Sequence, residues 1–268
     1  MEATTIGMNR TGIAMSPVDT KAMTDAADAL SPAVPIDTAA MDADRLAYIN
    51  ESETVGSIPP PASMKGMLKA GMAKMKGGAP SVFLDKIGER AAFERSGTRL
   101  YEALITKYQG VQALGEEVLV PADQLPPVDG AAAAAGSVAG ETPLQTLMRI
   151  RSEELEHFKM LGLAMEKMGG DPTAQTPCAD VTATQNMGIL QVVTDPRTTL
   201  AQCLNAVLTA ELSDNAGWEL LIQLAEEAGE TELAGRFLGA LAQEQEHLAI
   251  VKGWLTMLVT KGAGSPAV

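Results

Sequence analysis

The 268-residue sequence lacks the features of several large protein classes. Its two cysteines, Cys178 and Cys203, form neither a Cys-x-x-Cys pair nor a disulfide framework, which favours a reducing compartment. No run of about 18 apolar residues is present, so we predict no transmembrane helix. Residues 1–16 lack a basic start followed by an apolar core, so we predict no secretory signal. We therefore expect a cytoplasmic protein.

Basic residues are also scarce. The 20 lysines and arginines face 34 aspartates and glutamates, which gives a formal net charge of −14 and an isoelectric point of about 4.6. This balance argues against a nucleic-acid partner and against attraction to acidic membranes. It is compatible with a protein that attracts cations.

Residues 1–80 are interpreted as an N-terminal extension. Scattered prolines interrupt any long helix and leave short helical patches at 18–30 and 38–48. Large apolar residues are sparse, so we do not expect the extension to form its own core. Methionines and lysines recur at helical spacing in 64–77, MKGMLKAGMAKMKG, which predicts a short amphipathic helix. Packing on the main domain, a membrane surface or a partner would each suit this helix.

Residues 81–262 contain four long helical patterns, which predict an all-α antiparallel four-helix bundle. The first helix is expected from about 82 to 119. A loop rich in proline, glycine and alanine follows at 120–143. A long crossover at 170–197 separates the second helix from the third.

The helix ends carry recognisable signals. Thr142-Pro143 starts the second helix and the GGDP sequence at 169–172 stops it. Within the crossover, 186–193 is either a short helix or extended. The short turn at 229–231 predicts that the fourth helix runs antiparallel beside the third. Residues 263–268 form a tail.

The two histidines of the chain both belong to Glu-x-x-His motifs. These are Glu154-Leu-Glu-His157 and Glu244-Gln-Glu-His247. At a spacing of three on a helix, glutamate and histidine point to the same side and can bind one metal ion. One such motif is common by chance on acidic helices. Here both histidines have the glutamate, and both motifs interrupt apolar seams, so we interpret them as metal ligands.

The other two helices each have a carboxylate in the middle of an apolar seam. These are Glu94 on the first helix and Glu211 on the third. A lone carboxylate in a bundle core costs several kcal/mol or stays protonated, and four together repel one another. A pair of divalent cations removes both problems, since such ions accept carboxylate oxygen and imidazole nitrogen. The sequence therefore predicts a two-metal centre.

This pattern resembles the ferritin-like superfamily, and bacterioferritin and rubrerythrin most. Tyr101 follows Glu94 by seven residues, as a tyrosine often does in that family, and the Glu211–Glu244 interval is similar as well. The resemblance implies a ferritin-like four-helix bundle with a long crossover between helices two and three. It implies that Tyr101 supports the centre without binding metal. The six metal ligands that it implies are Glu94, Glu154, His157, Glu211, Glu244 and His247.

The sequence also departs from the family. The loop at 120–143 is much longer than in ferritins, which argues against a storage cage. Without a Cys-x-x-Cys pair, the chain is not a complete rubrerythrin with its own electron-transfer iron. Asp214 lies three residues after Glu211, where rubrerythrins often have a second glutamate, so it is either an extra ligand or a supporting group. Four glutamates off the seams are interpreted as surface charges or as partners of the ligands: Glu102, Glu153, Glu156 and Glu246.

The resemblance implies two iron ions and an oxidoreductase that acts on O2 or hydrogen peroxide in a ferroxidase-like or peroxidase-like reaction. A di-manganese centre that dismutates peroxide is an alternative. Another is a non-enzymatic, metal-stabilised bundle that serves as a binding or scaffold module, with residues 1–80 as its docking arm. We expect a homodimer and a partner for the N-terminal extension.

Overall fold

The computed structural model describes residues 17–34, 37–56, 64, 66–68, 71, 80–115, 119–126 and 138–264. Its helices are α1 (Pro17–Leu30), α2 (Ala39–Glu51), α3 (Pro80–Ala113), α4 (Pro143–Met168), α5 (Pro177–Thr194), α6 (Leu200–Glu227) and α7 (Thr231–Gly264), with a 3-10 turn at Ala122–Gln124. The described ranges contain no strand, so the predicted all-α class is confirmed for them. None of the helices found there is both long and apolar enough to cross a membrane.

The chain divides into two compact units, one made of the chain up to Thr54 together with the end of the chain from Gly264, and the other covering Val55–Ala263. Helices α1 and α2 lie in the first unit, at the two predicted helical patches, and neither has a buried residue. In the second unit, positions 64, 66–68 and 71 are helical. The rest of the Met/Lys-rich segment 64–77 lies outside the described residues.

Two apolar clusters show the directions of the long helices in the second unit. One joins the later part of α3, the start of α4, the start of α6 and the end of α7, and it includes Tyr101, Leu147, Leu204 and Trp254. The other joins the opposite ends of the same helices and includes Ile87, Leu161, Trp218 and Phe237. Helices α3 and α7 therefore run one way, and α4 and α6 run the other. Because α4 and α6 are parallel, the chain must return along the bundle between them.

This return is the helix α5, which packs against α3 and α6. At its start, Thr176 caps the helix, and the Thr176 hydroxyl donates to the Asp85 carbonyl at 3.2 Å. Just past its end, Lys107 Nζ on α3 donates to the carbonyls of Asp195 and Thr198 at 2.6 and 3.0 Å. The crossover is thus helical, and its helix is longer than the predicted patch 186–193.

Local signals explain the ends of the bundle helices. Thr142 and Thr199 form capping boxes at the starts of α4 and α6. Gly169 ends α4 with φ of 88°, a conformation that glycine adopts without steric cost. Helix α3 ends at Ala113, earlier than the predicted 119.

Candidate metal centre

The predicted ligand residues lie together at the level between the two apolar clusters. Helix α3 contributes Glu94, α4 contributes Glu154 and His157, α6 contributes Glu211, and α7 contributes Glu244 and His247. None of the six is more than 3 % exposed. The side chains at the predicted seam positions therefore form one buried cluster of carboxylates and imidazoles.

Two groups of candidate ligand atoms contain a histidine, and in each of them all atoms lie within 4.8 Å of one another. One group is Glu94, His157 and Glu244, and the other is Glu154, Glu211 and His247. Each group draws on three different helices. The glutamate of each motif is grouped with the histidine of the other motif, rather than with its own as the motif spacing alone had indicated. Residues at i and i+3 are one turn apart along the axis, so each motif spans both groups.

Hydrogen bonds orient both imidazole rings. His157 Nε2 lies 2.9 Å from Gln243 Oε1, and His247 Nε2 lies 2.8 Å from a carboxylate oxygen of Glu153. Both partners are acceptors, so each Nε2 donates and each Nδ1 is left to face the cluster. Nδ1 of His157 lies 2.7 Å from one Glu244 oxygen, and Nδ1 of His247 lies 3.1 Å from the other. Metal-binding histidines are commonly oriented in this way by a second partner.

Several buried ligand atoms have no hydrogen-bond partner among the described residues. Each of the four glutamates has one such oxygen, and His157 Nδ1 makes no hydrogen bond either, although it lies 2.7 Å from Glu244 Oε1 and 3.6 Å from Glu94 Oε2 in ion-pair contacts. Leaving a buried charged group unpaired costs several kcal/mol, which native proteins avoid. Divalent cations would satisfy all of these atoms, because carboxylate oxygen and imidazole nitrogen are their usual ligands. The cluster therefore fits metal ions by both donor chemistry and unmet bonding capacity. These atoms are Glu94 Oε2, Glu154 Oε2, Glu211 Oε2, Glu244 Oε1 and His157 Nδ1.

The metal-free cluster holds protons in place of cations. Burial and the nearby Glu244 carboxylate raise the pKa of Glu211 to about 8, and the same causes raise the pKa of Glu154 well above its usual value. Burial alone would lower the pKa of His157, but Glu244 and Glu94 raise it to about 11. A site that binds protons this strongly is one where positive charge is favourable.

Tyr101 lies beside this cluster. Its hydroxyl donates a short hydrogen bond to Glu211 Oε1, and its ring meets the His247 ring edge-on at 6.4 Å between centroids. Burial and the Glu211 charge raise the pKa of Tyr101 well above its usual value, so the hydroxyl keeps its proton. Tyr101 therefore acts as a donor that fixes one Glu211 oxygen, which matches the supporting role inferred for it.

The structure adds a buried cation that the sequence reading missed. Arg90 is 2 % exposed and lies one turn before Glu94 on α3. Its Nη2 donates to Glu94 Oε1 at 3.1 Å and makes a shorter contact with Asp214 Oδ1. Asp214 also lies within 4.8 Å of Glu94, Glu154 and Glu244 ligand atoms, but its charge is met by Arg90. Its closest ionic partner is therefore an arginine, which favours the supporting role over that of an extra ligand.

Two glycines leave room for these groups. A Cβ on Gly217 would lie 2.1 Å from Arg90 Nη1, and a Cβ on Gly97 would lie 1.9 Å from Glu154 Oε2. A side chain at either position would require the facing Arg90 or Glu154 side chain to move. The pairing of a buried charge with a facing glycine is visible only in three dimensions, which is why the sequence did not indicate it.

The off-seam glutamates divide into two kinds. Glu153 binds His247 and also pairs with Arg149 at 3.1 Å, and Arg149 reaches Glu246 on α7 at 2.8 Å. Glu156 is exposed, and Glu102 pairs with Arg151 near the surface. Only Glu153 therefore touches a candidate ligand directly.

Comparisons with known proteins give no family for this chain. No protein-family model matches it, and neither a curated protein nor a solved structure matches it significantly. The functional interpretation therefore depends on the geometry of the buried cluster.

Proposed function

We propose that the chain is a ferritin-like dinuclear metal protein that holds two iron ions in its bundle and acts as a ferroxidase-like or peroxidase-like oxidoreductase. The observation that carries this proposal is the pair of buried Glu/His groups, in which Glu154 Oε2 and Glu211 Oε2 have no hydrogen-bond partner among the described residues. The up-down-down-up order of α3, α4, α6 and α7 and the crossover along the bundle agree with that fold.

The assigned ligands of one ion are Glu94 and His157, and those of the other are Glu211 and His247. Glu244 would complete the first set of ligands and Glu154 the second, and these two carboxylates also lie within 4.8 Å of each other. Asp214 pairs with Arg90 and is not counted among the ligands, so four glutamates remain as carboxylate ligands for two divalent ions. The donor set therefore matches two ions in number and charge.

Bound iron would supply one-electron chemistry toward O2 or peroxide, and this chain's own residues prepare the ligands for it. Gln243 and Glu153 hold the imidazoles with Nδ1 toward the centre. Tyr101 holds Glu211 by one oxygen and leaves the other free. The two apolar clusters on either side exclude water from the ligand oxygens.

The test is anaerobic titration of metal-free protein with Fe(II), followed by exposure to O2 or hydrogen peroxide. We expect two irons per chain and a ferric absorption band at that stoichiometry. Glu154→Ala should lower the iron content and weaken the band, whereas Glu156→Ala, an exposed position on the same helix, should leave both unchanged. A band that is absent, or unaltered in Glu154→Ala, would refute the proposal.

Elemental analysis of protein purified without added metal distinguishes the manganese alternative from the iron assignment. Two manganese ions per chain, together with peroxide dismutation, would replace the iron assignment. A partner that binds only through residues 1–80, and that still binds the Glu154→Ala variant, would favour the scaffold alternative.

A further inference from the structure

A cavity of about 210 Å³ lies between α3, α5 and α6. Apolar side chains form much of its wall, among them Phe93 and Leu100 on α3 and Leu190 on α5. A larger groove of about 740 Å³ is formed mainly by the start of α6 and the end of α7, but none of the residues that line it belongs to the candidate metal centre. The smaller cavity is named here the α3–α5 cavity, and it adjoins the centre.

Gly97 connects the α3–α5 cavity with the centre. It lines the cavity, and its missing Cβ would lie 1.9 Å from Glu154 Oε2. That oxygen is buried and has no hydrogen-bond partner within the described ranges. Two further lining residues, Phe93 and Ala210, directly precede Glu94 and Glu211. A molecule in this cavity would therefore touch residues that adjoin three of the proposed metal ligands.

Two arginines stand at the rim of the cavity. Arg95 and Arg99 line it from α3, one turn apart, and both are exposed. Neither has an ion-pair partner among the described residues, although the chain carries 34 acidic groups. Like charges at this helical spacing repel each other by a few tenths of a kcal/mol. Two unpaired cations beside an apolar cavity are complementary to a ligand with an apolar body and one negative group.

We propose that the α3–α5 cavity binds a small monocarboxylic acid, with its carboxylate between Arg95 and Arg99 and its apolar body against Phe93 and Leu190. The volume corresponds to about seven water molecules, which limits the ligand to a short chain or a single ring, such as hexanoate or benzoate. The inference rests on the proposed function in one respect, which is that the ligand lies beside the metal centre. It lies there because Gly97 has no side chain.

Isothermal titration calorimetry on the full chain, metal-free and loaded anaerobically with Fe(II), tests this. We expect hexanoate to bind and hexanol to bind at least tenfold more weakly. Arg95→Gln/Arg99→Gln should lower hexanoate affinity at least tenfold, whereas Arg197→Gln/Arg236→Gln, a matched loss of two exposed charges outside the cavity, should not. Ala183→Trp at the mouth should block both ligands, and Val181→Trp, exposed on the same helix, should block neither.

Absence of hexanoate binding, equal affinity for hexanol, or an equal loss in the control double variant would overturn the inference. If the chain binds two irons but no hexanoate, the cavity assignment falls and the metal centre stands. If it binds hexanoate with the expected variant effects but no iron, the cavity assignment stands and the proposed function falls.

Discussion

At the scale of single residues, the orientation of His247 shows how a neighbouring side chain prepares a ligand. Glu153 is only partly buried, yet it accepts from His247 Nε2 and so leaves Nδ1 for the cluster. Burial alone would raise the pKa of Glu153, but the contact with His247 and the charge of Arg149 outweigh burial and lower the pKa. The carboxylate is therefore ionised when it accepts the hydrogen bond. An ionised acceptor makes the imidazole a stronger donor to metal.

Glu153→Ala should therefore weaken metal affinity by about 10–100-fold while leaving the fold intact. Competition with a chromophoric chelator measures the dissociation constant. Glu156→Ala, three residues along the same helix and exposed, is the control and should bind like the unaltered chain. Equal affinities in the two variants would mean that Glu153 does not orient His247.

Arg90 makes a second residue-scale prediction, about folding. Arg90→Leu removes the cation from Asp214 and Glu94, both buried, and should lower the free energy of unfolding of the metal-free protein by about 3–5 kcal/mol. Adding Asp214→Asn should restore part of the loss, since it removes the uncompensated charge. Urea denaturation measures both variants.

Arg197→Leu is the control, because Arg197 is exposed and pairs only with Asp195. It should cost less than about 1 kcal/mol. An Arg90→Leu cost no larger than this would show that the buried pair contributes nothing to stability.

The six candidate ligands could be read from the sequence, whereas Arg90 could not, and the reason is physical. A glutamate or histidine in the middle of an apolar seam is conspicuous, because burial there is costly. Arg90 lies at the edge of its seam, where a long cationic side chain commonly reaches solvent. Its burial depends on Asp214 from a distant part of the chain and on the space at Gly217. The only local signal was that Arg90 is one turn from Glu94.

At the scale of elements, α5 shows the same limit. Its sequence has few charges and no strong apolar stripe, so periodicity left helix and extended chain as alternatives. The helix is held from outside, by α3 contacts at both ends and by packing on α6. The four bundle helices, by contrast, have long seams that periodicity reports directly.

Helix α3 provides an element-scale prediction through two of its glycines. Alanine normally stabilises a helix by up to about 1 kcal/mol relative to glycine, and Gly110→Ala should do so because its Cβ would meet nothing within 4 Å. Gly97→Ala should instead destabilise the protein by about 1–3 kcal/mol, because Glu154 would have to move. Thermal unfolding measures both.

Metal content gives an independent readout of Gly97→Ala. Displacement of Glu154 should lower the metal bound per chain in Gly97→Ala and leave Gly110→Ala unchanged. A stabilised Gly97→Ala with full metal content would show that Glu154 does not pack against α3.

At the scale of the whole molecule, α4 runs parallel to α6. In this arrangement the Glu-x-x-His motifs of α4 and α7 and the single glutamates of α3 and α6 lie at one level of the bundle. Sequence periodicity predicted the helices and their seams, whereas the directions of the helices were predicted from the connections, such as the short turn at 229–231. The homodimer and a partner for the N-terminal extension stay predictions.

The protons held by the metal-free centre predict how stability changes with pH. The pKa of Glu211, about 8, and that of His157, about 11, are both raised in the folded state. Their contributions to stability are complete below the unfolded pKa values, about 4.5 and 6.5, and are lost as pH rises through the folded ones. The pKa of Glu244 is lowered, so its contribution changes only below about pH 4.5.

The melting temperature of metal-free protein should therefore fall between pH 6 and pH 9, by about 2–8 °C for a change of about 1–2 kcal/mol. Metal-loaded protein should behave oppositely, because ions compete with the same protons and bind more tightly as pH rises. Calorimetric scans at fixed ionic strength, with and without two equivalents of metal, measure both slopes. If the melting temperature of the metal-free protein rises over this range, Glu211 and His157 do not hold their protons in the folded protein. The charge balance inferred for the centre would then be wrong.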